Sequence, residues 1–445
     1  MNKYTLVGKI LITGELTLQA PLLIGDGEGE TSDNFKDVHV LKNQEDKPKP
    51  FIPGTSLCGV LRDYMKSTNP AMVDKIFGDA NTIQSSIQLD DIQLDNGEII
   101  SRDGVKIDSY TGTSVDGSKY DYEAVDRGAK GNLRLLINLR GVHLDDMKNV
   151  QDAISKLMGR LKSGIQLGAL TSKGFGVATV ENIVANFYDF RNKADVIAWL
   201  KNKPASKTIS PASEKNSSNP KDFIVDANFA LNSSFIIRDY DVGEDNKSNN
   251  ISAVSLKSQC DFVIPATSLK GIFRHRTEYI FNRLGLKVNL LDNLMGTATK
   301  DGTKIKSRFI VYESYISPKN VNDVIHRRNK IDRITGGVLQ GTLFATKPVW
   351  NKTLNAPIIN IRFEIRDAKD FEAGLALCLL RDMWLGNVAI GGEKSIGRGT
   401  VKGIFAEIKF KGKTYNLAES GKVIKGDAAE ISKIANAVKN WGGDE

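Results

Sequence analysis

The chain repeats itself once, and a duplicated motif order fixes the domain organisation before any single element is assigned. Phe51-Ile52-Pro53-Gly54-Thr55-Ser56-Leu57-Cys58-Gly59-Val60-Leu61-Arg62 returns as Val263-Ile264-Pro265-Ala266-Thr267-Ser268-Leu269-Lys270-Gly271-Ile272-Phe273-Arg274. Lys106-Ile107-Asp108-Ser109-Tyr110-Thr111-Gly112 returns as Lys330-Ile331-Asp332-Arg333-Ile334-Thr335-Gly336. Ser172-Lys173-Gly174-Phe175-Gly176 returns as Ser395-Ile396-Gly397-Arg398-Gly399. Chance does not readily produce three motifs in one order at nearly constant spacing.

Between the copies runs KNKPASKTISPASEKNSSNPKD, residues 201–222, rich in Lys, Ser, Asn and Pro and almost without apolar side chains. Such a segment cannot bury enough surface to order itself and reads as a linker. The expected division is a first domain over 1–200, a linker over 201–222, and a second domain over 223–445 that ends in a C-terminal tail.

Each copy opens on an alternating strand, 4–18 and 223–237. Pro53-Gly54-Thr55-Ser56 predicts a turn and an N-cap hydroxyl for a helix to about Tyr64, with Thr267 or Ser268 capping its counterpart. Strand-like stretches follow at 86–94 and 99–107. Met147, Val150, Ile154, Leu157 and Leu161 recur at helical spacing, and their counterpart runs from about Phe371 to Trp384. A Gly-rich loop and a last strand close each copy. This β-α-β-β-α-β order predicts an α+β protein of two tandem ferredoxin-like (RRM-like) domains, each with one sheet face free for a ligand.

Composition narrows the partners. The excess of 61 Lys and Arg over 53 Asp and Glu, a net charge of +8, favours polyanions, because basic side chains displace the counterions condensed on phosphates. No apolar run approaches the roughly 20 residues that span a bilayer, so no membrane partner is expected. Cys58, Cys260 and Cys378 are too few and too scattered for a disulfide framework or a zinc site, and a cytoplasmic home is expected.

Four groups of residues carry candidate chemistry. Thr55 and Ser56, with Thr267 and Ser268, sit at a helix N-terminus that favours phosphate, and Arg62 and Arg274 follow two turns later. The Gly-rich stretches 164–176 and 386–399 suit close approach to an anion, with Lys173, Lys394 and Arg398 adding charge. Residues 108–122 and 327–340 read as exposed hairpins that present Tyr110, Tyr120, Arg327, Arg328, Lys330 and Arg333. The loop 25–42 gathers Asp26, Glu28, Glu30, Asp33 and Asp37, acids whose place in a basic protein suggests metal binding or activation of a hydroxyl. His39, His143, His275 and His326 are scattered and form no ligand pair.

Together these residues resemble the RAMP superfamily of CRISPR RNA-binding proteins. The resemblance rests on Ile24-Gly25 after the first strand, the two Ile-Pro-(Gly/Ala)-Thr-Ser helix starts, the hairpins (the thumbs of that family) and the Gly-rich loops. Among RAMPs the chain looks most like the Cas-seven-like backbone subunits of type III effectors, fused in pairs as in type III-D systems. The resemblance implies guide RNA, complementary target RNA and other type III effector subunits as partners. It implies RNA contacts from Thr55, Ser56, Arg62, Lys173, Phe175, Thr267, Ser268, Lys270, Arg274, Arg327, Arg328, Lys330, Arg333, Lys394 and Arg398.

In catalytic members one loop aspartate ahead of the Ile-Pro-Gly turn cuts target RNA with a divalent metal, and Asp37 matches that place. Asp37, Asp33 and Asp26 are therefore the catalytic candidates, Asp37 the metal ligand, and Mg2+ or another divalent cation the expected cofactor, with no organic cofactor. In the second copy Asn249 stands where Asp37 does and Ala266 replaces Gly54, which puts cleavage there in question. A guide-holding scaffold without chemistry remains the alternative. A guide-processing endoribonuclease, with His39 or His275 as base, is the remoter one.

Overall fold

The computed structural model describes residues 4–27, 38–79, 81, 83–108, 111–213, 219–239, 250–298 and 304–441. The chain forms two compact units, one N-terminal and one C-terminal.

In the first unit the elements run β1 (Leu6–Leu18), α1 (Gly54–Thr68), β2 (Ile87–Leu89), β3 (Ile99–Gly104), β4 (Tyr120–Val125), β5 (Lys130–Arg140), α2 (Met147–Ser163) and β6 (Val177–Asp189). The sheet is antiparallel in the order β6-β1-β5-β2, and Lys207–Ile209 adds a short strand along β6. Alternation along β1 buries Ile10, Ile12, Leu16 and Leu18. Leu57, Leu61 and Met65 of α1, and Val150, Ile154, Leu157 and Leu161 of α2, are buried at helical spacing and complete one apolar core. Each such Leu, fully buried, contributes about 1.5–3 kcal/mol. Outside the sheet, β3 and β4 pair as a hairpin from Ile99↔Val125 to Gly104↔Tyr120.

The second unit repeats the plan with β7 (Phe223–Leu231), β8 (Ile251–Ser255), α3 (Ala266–Leu284), β9 (Phe309–Val311), β10 (His326–Arg328), β11 (Phe344–Lys347), β12 (Ile359–Ile365), α4 (Asp370–Trp384) and β13 (Val401–Phe410). Its sheet runs β9-β12-β7-β13 and continues through Lys413–Leu417 to Val423–Lys425. The order second, third, first, last is thus the same in both units. Phe309 and Phe363 stack at its centre, with Phe273 tilted against both. Among the described residues no helix is long and apolar enough to cross a membrane.

Three local expectations change. The N-caps are Pro53 and Pro265, with no side-chain cap bond, and not the hydroxyls of Thr55, Ser56, Thr267 or Ser268. In the first unit a distant carboxylate serves instead: Asp91 Oδ1 accepts the Gly54 N–H at 2.8 Å. The stretch 86–94 divides between two partners, Ile87–Leu89 on β5 and Ile92–Gln93 on Phe51–Ile52. The strand expected over 223–237 ends at Leu231, and Ser234–Phe235 pairs instead with Val349–Asn351.

Candidate nucleic-acid interface

The Gly-rich loops are closed clasps, and the two units build them bond for bond. Gly176 N–H donates to Pro21 O at 2.7 Å, and Gly399 N–H to Ser234 O at 2.7 Å. Leu167 N–H donates to Gly176 O and Ile390 N–H to Gly399 O, both at 2.9 Å. Ala169 N–H reaches Leu23 O and Gly392 N–H reaches Ile236 O, both at 2.8 Å. The loop is thereby fastened to the segment that leaves the first strand of its own unit. Lys173 falls in the turn Thr171–Lys173, Lys394 in the turn Lys394–Ile396.

The hairpin tips are duplicated in the same way. Val115 N–H donates to Lys106 O and Leu339 N–H to Lys330 O, both at 2.9 Å. Asp108 N–H meets Thr113 O, and Asp332 N–H meets Gly337 O, both at 2.8 Å. In the second unit the tip exposes Arg327, Lys330 and Arg333 beside Ile334, which is 96% exposed. Cations alternating with an exposed apolar side chain suit a nucleic-acid strand, whose backbone is charged and whose bases stack. Tyr120 opens β4 and is exposed, and Tyr110 is outside the described residues.

Asp33 and Asp37 also lie outside the described residues. The two ends of their loop are fixed. Gly25 bridges to Val40, Leu41 N–H donates to Ile24 O at 2.8 Å, and Val38 runs parallel to Tyr122 of the hairpin. Asp26 N–H donates to His39 O at 3.3 Å, and the Glu123 carboxylate accepts the Val40 N–H and lies 3.5 Å from His39 Nδ1. Among the described residues no cluster of His, Cys, Asp or Glu is able to hold a metal ion.

Several residues expected at RNA are committed to the fold. Arg62 Nη2 donates to Gly78 O at 3.1 Å, and Arg274 Nη1 to Gly296 O at 3.0 Å, each tying the first helix to the turn that follows it. Lys270 is buried, with Nζ on Ser307 Oγ and Phe309 O. Phe175 is buried against Tyr122. Arg398 is 3% exposed and faces Glu393. Thr55 is exposed, while Ser56, Thr267 and Ser268 are half-buried. His143 is a packing residue, its ring nitrogens at Lys75 O and the Arg140 backbone.

Sequence reasoning missed Asp91, Arg102, Arg238 and Glu393. Arg102, on β3 opposite Tyr122, is 5% exposed, and among the described residues all three of its guanidinium nitrogens lack a hydrogen-bond partner. An uncompensated buried charge destabilises, so Arg102→Met should raise stability by about 1–3 kcal/mol. Denaturant midpoints would read this, and a lower midpoint for the Met variant would contradict it.

The fold and these surfaces define a duplicated α+β protein with a clasped glycine loop and a hairpin in each unit. The RAMP superfamily profile matches residues 15–179 and 242–402, and the chain belongs to that superfamily. No curated protein matches it.

Proposed function

We propose that the chain is a double backbone subunit of a type III CRISPR RNA-guided effector, each unit an elaborated ferredoxin-like domain that holds guide RNA. The observation that carries this reading is the bond-for-bond duplication of clasp and hairpin in a RAMP chain of net positive charge. Two equivalent grips in one chain suit a partner that offers the same contact repeatedly, as a nucleic-acid backbone does. Other effector subunits and a complementary target RNA complete the assembly.

Target cleavage belongs to the first unit. Asp37, in the loop whose ends are pinned at Gly25, Val38 and Val40, takes the proton of a target 2′-OH. The 2′-oxygen attacks the adjacent phosphorus, the P–O5′ bond breaks, and the leaving oxygen is protonated. The products are a 2′,3′-cyclic phosphate and a 5′-OH. A divalent cation, Mg2+ or a similar ion with Asp37 as its ligand, would supply charge stabilisation; Asp37 lies outside the described residues.

The test is cleavage of a guide-matched RNA by the assembled complex in Mg2+, wild type against Asp37→Ala. Loss of one cut among several, with target binding intact, is the expected result. An unchanged cut pattern would leave the chain a guide-holding scaffold without chemistry.

A further inference from the structure

Asp37 directly precedes Val38 in the sequence, so the placing of Val38, His39 and Val40 sets where the loop of candidate acids ends. One residue of the hairpin, Glu123 on β4, touches all three. Its N–H donates to Val38 O at 2.9 Å, its Oε2 accepts the Val40 N–H at 3.1 Å, and its Oε1 lies 3.5 Å from His39 Nδ1. Lys42 Nζ stands 3.8 Å from Oε2. These contacts are unequal. The side chains of His39 and Lys42 are exposed or nearly so, and ion pairs in that setting contribute little. Val40 is buried, so its N–H would lose its acceptor where water does not readily replace it. The bond from Val40 to the Glu123 carboxylate is the hold that matters.

The second unit keeps the main-chain frame and changes the side chain. Leu41 N–H donates to Ile24 O and Leu256 N–H to Ile237 O, both at 2.8 Å. Gly25 pairs with Val40 as Arg238 does with Ser255, and Val38 runs parallel to Tyr122 as Ala253 does to Thr346. That register puts Lys347 in the place of Glu123, and Ser252 in the place of Asp37 where the sequence alone pointed to Asn249. Lys347 has no acceptor to offer an N–H, and its Nζ lies 3.0 Å from Asp323 instead. The carboxylate that holds the loop end and the loop aspartate are thus present together in one unit and replaced together in the other. A bond needed only by the frame would be expected in both units, because both have the frame.

We infer that Glu123 is a positioning residue for target cleavage in the first unit: it fixes the end of the loop from which Asp37 acts and takes no part in the chemistry itself. The inference rests on the reading of Asp37 above. Proton abstraction requires the base within hydrogen-bond reach of the 2′-OH, and a displacement of about 1 Å costs up to about 100-fold in rate. A loop end pinned through a buried N–H limits such displacement.

Single-turnover cleavage of a guide-matched RNA by the assembled complex in Mg2+ tests this, read at the cut that Asp37→Ala removes. Glu123→Ala should slow that cut about tenfold or more at saturating target, with the target concentration for half-maximal rate unchanged. Glu123→Gln keeps a carbonyl oxygen within reach of the Val40 N–H and should recover most of the loss. The remaining cuts report assembly; if Glu123→Ala abolishes them too, Glu123→Asp, shorter by one methylene group, takes its place. A loss in Glu123→Gln as deep as in Glu123→Ala would show that the charge itself acts, and would overturn the inference. A cut lost in Asp37→Ala but kept at full rate in Glu123→Ala would overturn it as well and leave the cleavage reading standing. A cut that survives Asp37→Ala rejects the cleavage reading, and this inference with it.

Discussion

Gly399→Ala is expected to destabilise the second unit by about 3 kcal/mol or more, and Gly176→Ala the first by as much. Both residues have positive φ, 80° and 75°, where an L side chain is strained by about 1–2 kcal/mol. Space is the larger problem. A Cβ on Gly399 would lie 1.9 Å from Ile390 O, and one on Gly176 would lie 1.8 Å from Leu167 O. Those carbonyls belong to the clasp itself, so relief requires moving backbone and loosening bonds worth roughly 0.5–1.5 kcal/mol each. Gly397 is the internal control. It has φ 83° but open space around its would-be Cβ, so Gly397→Ala should cost only the conformational strain. Urea midpoints decide the matter: equal losses for Gly399→Ala and Gly397→Ala would mean that the close approach is not what the glycine serves.

Phe363→Ala should cost about 3–5 kcal/mol. Its ring is fully buried and lies 5.5 Å from that of Phe309 with an 11° tilt, and 5.0 Å from that of Phe273. These three rings join α3 to β9 and β12, so truncation empties the contact between helix and sheet. Collapse around the gap is opposed by Phe229, Ile361 and Ile365, which are themselves fully buried. The measurement is again the midpoint, with the slope against denaturant checked for change. A loss near 1 kcal/mol would show that the neighbours refill the space.

What the sequence discloses follows from the range of each interaction. Helix α2, Met147–Ser163, was legible because Val150, Ile154, Leu157 and Leu161 record its buried face locally. The order of elements was legible because it occurs twice. Caps were not: Asp91 reaches Gly54 from 37 positions away, and no local pattern announces that bond. Arg62 and Arg274 read as phosphate ligands because their spacing from the helix start is the same whether they face RNA or a carbonyl. The carbonyls of Gly78 and Gly296 come from turns that differ in length from their arginines, which hid the correspondence. Glu393 was within reach of sequence reasoning, as the only acid in the second Gly-rich loop, 386–399, but its three arginine partners are scattered from 238 to 398.

Because each clasp is made almost wholly from main-chain bonds, it behaves as a chassis whose upholstery is free to change. Side chains at 170 and 175 in one half, and at 393 and 398 in the other, differ as grease from charge without altering a single fastening. Such a part is transplantable: a chimera with the first half's loop installed in the second would keep its shape and trade one surface chemistry for the other. Duplication here has supplied two sockets of one gauge, leaving each to be fitted with its own plug.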